Sequence, residues 1–260
     1  MTSHRDKVAA WPLAVAFALM WLPYQAAVGL QERYEQQGAF GPTLMVVSLL
    51  LAWPLARWLR RSRGEPVFGL RPDRRALMTL LGGLVIAFIG RMIVVSIGDT
   101  TGASVAQSFD WTLAASVLPL LLLSSFIPSL AEDILTRGFP LFAARWRTPT
   151  LIVASALIYT ANHIWRFDWG LTEQIRLFAL GLAFAAAAWR LGSLWPAVGL
   201  HWGWNVAGAL MPADILAVDQ FRMLTAGFHV ALFALIMVLP GKTMRAAANP
   251  PQPVPFRESA

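Results

Sequence analysis

The chain has 260 residues, of which 57% are hydrophobic and only 13% charged, with a mean hydropathy of +0.56. A soluble domain of this length would carry about 25% charged residues, so a soluble enzyme is excluded. The 21 Lys and Arg exceed the 14 Asp and Glu, but the excess lies in short segments between apolar stretches, which fits cytoplasmic flanks of membrane helices and not a nucleic-acid partner. With no Cys, disulfide and thiolate chemistry are excluded too.

Taking ~20 residues per crossing, apolar stretches predict about eight spans, near 11–30, 43–59, 76–97, 111–146, 149–165, 173–190, 194–212 and 223–240. The first is long enough to cross and lacks the small-residue cleavage site of a signal peptide. The expected fold class is therefore all-α, a polytopic membrane helix bundle formed as a single domain over residues 1–245. The tail 246–260, with Pro250, Pro251, Pro253 and Pro255, is expected to be disordered.

Orientation follows from basic residues. Arg5 and Lys7 precede the first span, and Arg57, Arg60, Arg61, Arg63, Arg71, Arg74 and Arg75 cluster between the second and third. Arg145 and Arg147 lie between the fourth and fifth, and Lys242 and Arg245 follow the eighth. Eight crossings put all of these on one side, which predicts cytoplasmic termini. The intervening segment 98–110 has no Lys or Arg.

The fourth span is read as one long broken element, because Pro128 and Pro140 each remove an intrahelical hydrogen bond. A turn at Trp146-Arg147-Thr148 leads into a helix opened by Pro149. Glu132 and His163 stand nearly the same number of residues from this turn, so a helical rise of ~1.5 Å per residue gives them matched depth. His201 and Asn205 are four apart and share one face of the seventh span. Ionisable residues at bilayer depth are costly, so this set is a functional-site hypothesis.

Asp133 and Arg137 are spaced for a helical ion pair, acid first, and are expected to support the helix that carries Glu132. Glu132, left outside that pair, is the candidate general base. His4 and His229 lack comparable company and are read as non-catalytic. Gly82, Gly83 and Gly138 are expected to allow close helix packing. No Walker loop, dinucleotide fingerprint or HExxH zinc helix is present.

Three segments now carry a resemblance: Glu132-Asp133-x-x-x-Arg137, Tyr159-x-x-x-His163 and His201-x-x-x-Asn205. In order and spacing they resemble the EExxxR, FxxxH and HxxxN motifs of the CPBP intramembrane proteases. That family includes the type II CAAX prenyl proteases and the Abi-like bacteriocin-processing and immunity proteins. The motif-bearing core would be residues 111–212. Asp133 stands where the family usually has a second Glu, and Tyr159 where it usually has Phe.

The resemblance implies an intramembrane endopeptidase in a bacterial cytoplasmic membrane, with a membrane protein or peptide precursor as partner and the lipid bilayer around it. Glu132 and His163 would activate water, and His201 and Asn205 would stabilise the oxyanion, with Asp133 and Arg137 supporting. A second chemistry places Zn²⁺ on Glu132, His163 and His201 with an open water position. The favoured expectation has no cofactor, because no second base is evident if Glu132 ligates metal. Two rivals remain at this level: a proton- or ion-coupled transporter, and a peptide-binding immunity or chaperone protein that does not cut.

Overall fold

The structure is a computed structural model. It describes residues 10–34, 40–63, 68–106, 111–140, 149–210 and 213–238. The expected turn at 146–148 and the Pro-rich tail 246–260 lie outside the described residues.

Among these, eight α-helices run in chain order: α1 (Ala10–Tyr34), α2 (Phe40–Arg63), α3 (Arg74–Thr100), α4 (Trp111–Asp133), α5 (Thr150–Asn162), α6 (Leu171–Leu191), α7 (Trp195–Leu210) and α8 (Val218–Val238). The polytopic helix bundle expected from composition is the observed fold. Helices α1, α2, α3, α4, α6 and α8 are long and apolar enough to cross a membrane. Helices α5 and α7, of 13 and 16 residues, fall short of a full crossing. Large side chains such as Trp53, Leu77, Met78 and Leu120 are exposed on α2, α3 and α4, as a lipid-facing surface requires.

Neighbouring helices pair as α1 on α2, α3 on α7, α4 on α7, α5 on α6 and α6 on α8. The α3–α7 seam is built on glycine. A Cβ at Gly199 would lie 2.1 Å from the Leu80 carbonyl oxygen, and one at Gly203 would lie 2.2 Å from that of Leu84. From the other side, a Cβ at Gly83 would meet the Pro196 carbonyl oxygen and the Leu200 nitrogen at 2.8 Å. The two backbones can touch only because these side chains are absent. Gly83 therefore has the packing role expected of it. A Cβ at Gly138 would meet the Phe68 ring at 3.1 Å. Gly82 does not pack closely, since nothing lies within 4 Å of a Cβ built there. Consecutive helical residues point about 100° apart, and Gly83 is the one that faces α7.

A two-stranded antiparallel ribbon joins the ends of α3 and α7. Strands β1 (Ser104–Ala106) and β2 (Ala213–Ile215) pair with Val105 opposite Asp214. The spans read from sequence contained no strand here.

Two departures from regular helix shape the interior. The long fourth element is α-helical through Pro119 and Pro128, then becomes a π-turn over Ile134–Gly138. Its signature is the Phe139 N–H, which donates to the Ile134 carbonyl five residues back. Pro140 has no N–H to offer Thr136, and the Ser155 hydroxyl of α5 donates to that carbonyl instead, at 2.8 Å. The break expected at Pro140 is thus real, and it is filled by a neighbouring helix.

The fifth span ends earlier than the 149–165 read from sequence. Helix α5 stops at Asn162, His163 has φ −88° and ψ 49°, and a 3₁₀ segment covers Ile164–Trp169. His163 turns back onto the helix that it follows. Its Nδ1 sits 2.8 Å from the Tyr159 carbonyl, the acceptor its own backbone N–H would use in a continuing helix. That N–H goes to Thr160.

Candidate active site

The interior meeting point of α4, α5 and α7 holds Glu132, His163 and His201. Glu132 Oε1 lies 3.6 Å from His163 Nε2, and Glu132 Oε2 lies 3.5 Å from His201 Nε2. The carboxyl group is thus flanked by two imidazoles, one at each oxygen. Both gaps exceed a direct hydrogen bond. Glu132 and His201 are buried, and the His163 side chain retains 12% exposure.

Each ring is fixed. The His163 Nδ1–H donates to the Tyr159 carbonyl, which leaves Nε2 as the lone-pair nitrogen facing Glu132. Tyr159 lies edge-on to both imidazoles, with ring centroids 4.8 Å from His163 and 6.0 Å from His201. Phe184 of α6 stacks on His201 at 5.4 Å. The second nitrogen of His201, Nδ1, faces Asp133 Oδ1 at 3.5 Å.

Asp133 and Arg137 form the ion pair expected from their spacing, and both side chains are fully buried. Arg137 also donates to the Thr136 hydroxyl at 3.1 Å. Its guanidinium lies over the rings of Tyr159 and Phe184, 4.6 Å and 5.1 Å from their centroids. The pair therefore ties the π-turn to the aromatic residues that hold the two histidines.

Asn205 stands apart from this group. It lies on the His201 face of α7, one turn further along, and its amide donates to the Ser129 hydroxyl of α4 at 3.1 Å. The structure thus brings Glu132, His163 and His201 together, and sets Asn205 against α4 one turn before Asp133. His229 is buried among Trp204, Phe228 and Phe184, with Nδ1 on the Thr225 carbonyl. His4 lies outside the described residues.

A carboxylate and two imidazoles are suitable donors for Zn²⁺. The imidazoles face opposite oxygens of Glu132, and Oε1 accepts from the Asn162 amide at 3.0 Å. Among the described residues, no group of three or more His, Cys, Asp or Glu is arranged to hold a metal ion.

Sequence reasoning missed the residues around Glu132 that come from α1 and the end of α5. Asn162 donates to Glu132, while its own Oδ1 accepts from Trp21 Nε1 at 2.9 Å and Gln25 Nε2 at 2.8 Å. Tyr24 of α1 is buried near Glu132. The signal was Tyr24, Gln25 and Asn162 standing in apolar stretches, as Glu132 does.

The 3₁₀ segment is stapled to the same helix. The Trp165 indole donates to the Gln25 carbonyl at 3.1 Å, and Arg166 and Asp168 pair with Glu32 and Arg33. Gly29 makes room for Trp165, whose ring would lie 2.6 Å from a Cβ there.

The geometry can be set beside known proteins. Residues 114–207 match the family model described as Rce1-like: Type II CAAX prenyl endopeptidase Rce1-like. The match agrees with the CPBP resemblance and covers Glu132, Asp133, Arg137, His163, His201 and Asn205. No curated protein matches the chain.

Proposed function

We propose, taking as premise the Rce1-like type II CAAX prenyl endopeptidase domain at residues 114–207, that this membrane protein is an intramembrane endopeptidase whose base is Glu132. The observation that carries the reading is the buried Glu132 carboxylate with an imidazole nitrogen 3.5–3.6 Å from each of its oxygens.

A water held by Glu132 would lie within reach of His163 Nε2, whose lone pair faces inward because Nδ1 is committed to Tyr159. Glu132 takes a proton from that water as its oxygen attacks the scissile carbonyl, and His163 shares the proton. His201, bearing hydrogen on Nε2, donates to the developing oxyanion, and the second N–H of the Asn205 amide assists from one turn away. Apolar walls strengthen these interactions by excluding water. Glu132 then returns the proton to the leaving amine. No step runs through a metal.

The substrate is a membrane-associated protein or peptide precursor, and the bilayer is the solvent of the reaction. By the activity of the matched family, a peptide ending in a prenylated CAAX sequence is the first probe to use. The protein resides in a cytoplasmic membrane with both termini on the basic, cytoplasmic side.

The test is Glu132→Gln, which keeps the shape and the Asn162 contact but removes the base. Cleavage should fall by at least ~100-fold, with insertion and accumulation unchanged. In cells, comparing membrane proteomes of the wild type and this variant should reveal a precursor that accumulates uncut. Cleavage within a few-fold of wild type would reject the assignment.

A further inference from the structure

We propose that α1, which lies outside the matched segment 114–207, sets the orientation of the catalytic carboxylate through a one-way hydrogen-bond relay: Trp21 and Gln25 to Asn162, and Asn162 to Glu132. The proposal rests on the reading of Glu132 as the base, and makes Trp21, Gln25 and Asn162 positioning residues.

Donor polarity gives the relay its direction. A side-chain amide can turn over and exchange its oxygen and nitrogen, so an amide alone orients nothing. Here two partners cannot turn over. The Trp21 indole nitrogen is a donor only, and it points at Asn162 Oδ1. The backbone carbonyl of Asn162 is an acceptor only, and it receives Gln25 Nε2 at 2.7 Å. Gln25 must therefore present its nitrogen, and that nitrogen also meets Asn162 Oδ1. Reversing Gln25 would set its oxygen against two other oxygens.

With Oδ1 held by two N–H groups, Asn162 has only its Nδ2 left for Glu132 Oε1. The relay thus delivers a donor to that oxygen and to no other. It leaves Oε2 to His201, and it fixes the rotation of the carboxyl group between the two imidazoles.

All three relay side chains are buried or half-buried, so water competes poorly for these bonds. Their residue types are otherwise expensive. A buried Gln and Asn inside apolar helices cost free energy unless satisfied, and this arrangement leaves Gln25 Oε1 without a partner among the described residues. A purely structural bond between α1 and α5 could have used a single hydroxyl. The relay also sits next to the residue where α5 ends, so it holds the backbone immediately before His163.

The test uses full-length protein in detergent or lipid. The variants are Asn162→Ala, Gln25→Met and Trp21→Phe, each also made with Glu132→Gln. Infrared difference spectra between each variant and its Glu132→Gln partner isolate the carboxyl band of Glu132, whether or not the protein turns over. The band should move in Asn162→Ala and move the same way, by less, in Gln25→Met and Trp21→Phe. With a farnesylated CAAX-type peptide as probe, kcat should fall ~100-fold for Asn162→Ala. It should fall ~10-fold for Gln25→Met, with KM within about twofold.

A Glu132 band unchanged in both Gln25→Met and Trp21→Phe overturns the relay, even if Glu132→Gln is inactive. A band that moves as expected while Glu132→Gln still cleaves sustains the relay and rejects the base assignment. Loss of KM and kcat together with a lowered unfolding temperature and an unmoved band would mean a structural contact only, and also overturns the relay.

Discussion

Arg137→Met isolates the buried ion pair beneath the site. Arg137 and Asp133 are both fully inaccessible to solvent, and the guanidinium rests on two aromatic rings. Methionine keeps an unbranched apolar stem against Tyr159 and Phe184 but removes the charge. Asp133 is then left buried with only the His201 imidazole beside it, 3.5 Å away. Breaking such a pair from one side costs ~3–5 kcal/mol, most of it the desolvation of the abandoned partner. Asp133→Asn should cost a similar amount by stranding Arg137. The double variant Asp133→Asn/Arg137→Met strands neither charge and should cost only about 1–2 kcal/mol, since apolar replacement of a whole buried pair is often tolerated. The cycle should therefore show coupling of at least ~2 kcal/mol. Reversible unfolding in mixed micelles, followed by circular dichroism, measures all four proteins. A double variant whose loss equals the sum of the singles would refute the reasoning, as would an Arg137→Met protein within ~1 kcal/mol of wild type.

Other outcomes follow from geometry already described. Gly203→Ala and Gly199→Ala would drive a methyl into the carbonyls of Leu84 and Leu80, so each should destabilise the protein by roughly 1–3 kcal/mol or more, whereas Gly82→Ala should be neutral in the same unfolding assay. A single Cys placed at Ser62 in this Cys-free chain should react with an impermeant reagent only after cells are opened; labelling of intact cells would reverse the proposed orientation. Chelation of purified enzyme should leave cleavage within a few-fold, and His201→Ala should lower kcat by roughly 10²–10³. Stoichiometric metal that tracks activity, and is lost in His201→Ala, would recast Glu132 as a ligand.

Much of this architecture is legible in the sequence because membrane burial makes polar residues conspicuous. Helical rise alone matched the depths of Glu132 and His163, and i to i+4 spacing gave the Asp133–Arg137 pair. What could not be read depends on which helices touch. Gly199 and Gly203 bracket His201, yet nothing local says that α3 fills that groove. Tyr24 and Gln25 were as anomalous in their apolar stretch as Glu132, but a carboxamide or phenol has no charge to demand an explanation. The stop of α5 at Asn162 was not legible in the stretch 149–165, which was read as one span. The π-turn lies just before Pro140, and the Thr136 carbonyl there takes a hydroxyl donor from Ser155, 19 residues further along, a long-range substitution invisible to any local window.

The placement of His201 on the seventh helix also sets an order in time. Synthesis delivers α1 first, so Trp21 and Gln25 are in the membrane before Asn162 exists to receive them. Glu132 emerges next, and α5 then brings its first imidazole. The second imidazole arrives only with α7, which must seat Gly199 and Gly203 on α3 before His201 reaches the carboxylate. A ribosome that has made the first two motifs has therefore made an incomplete site. On the proposed mechanism, the nascent chain lacks the His201 donor that would hold the oxyanion until α7 inserts, so it would stay dormant while it is being built.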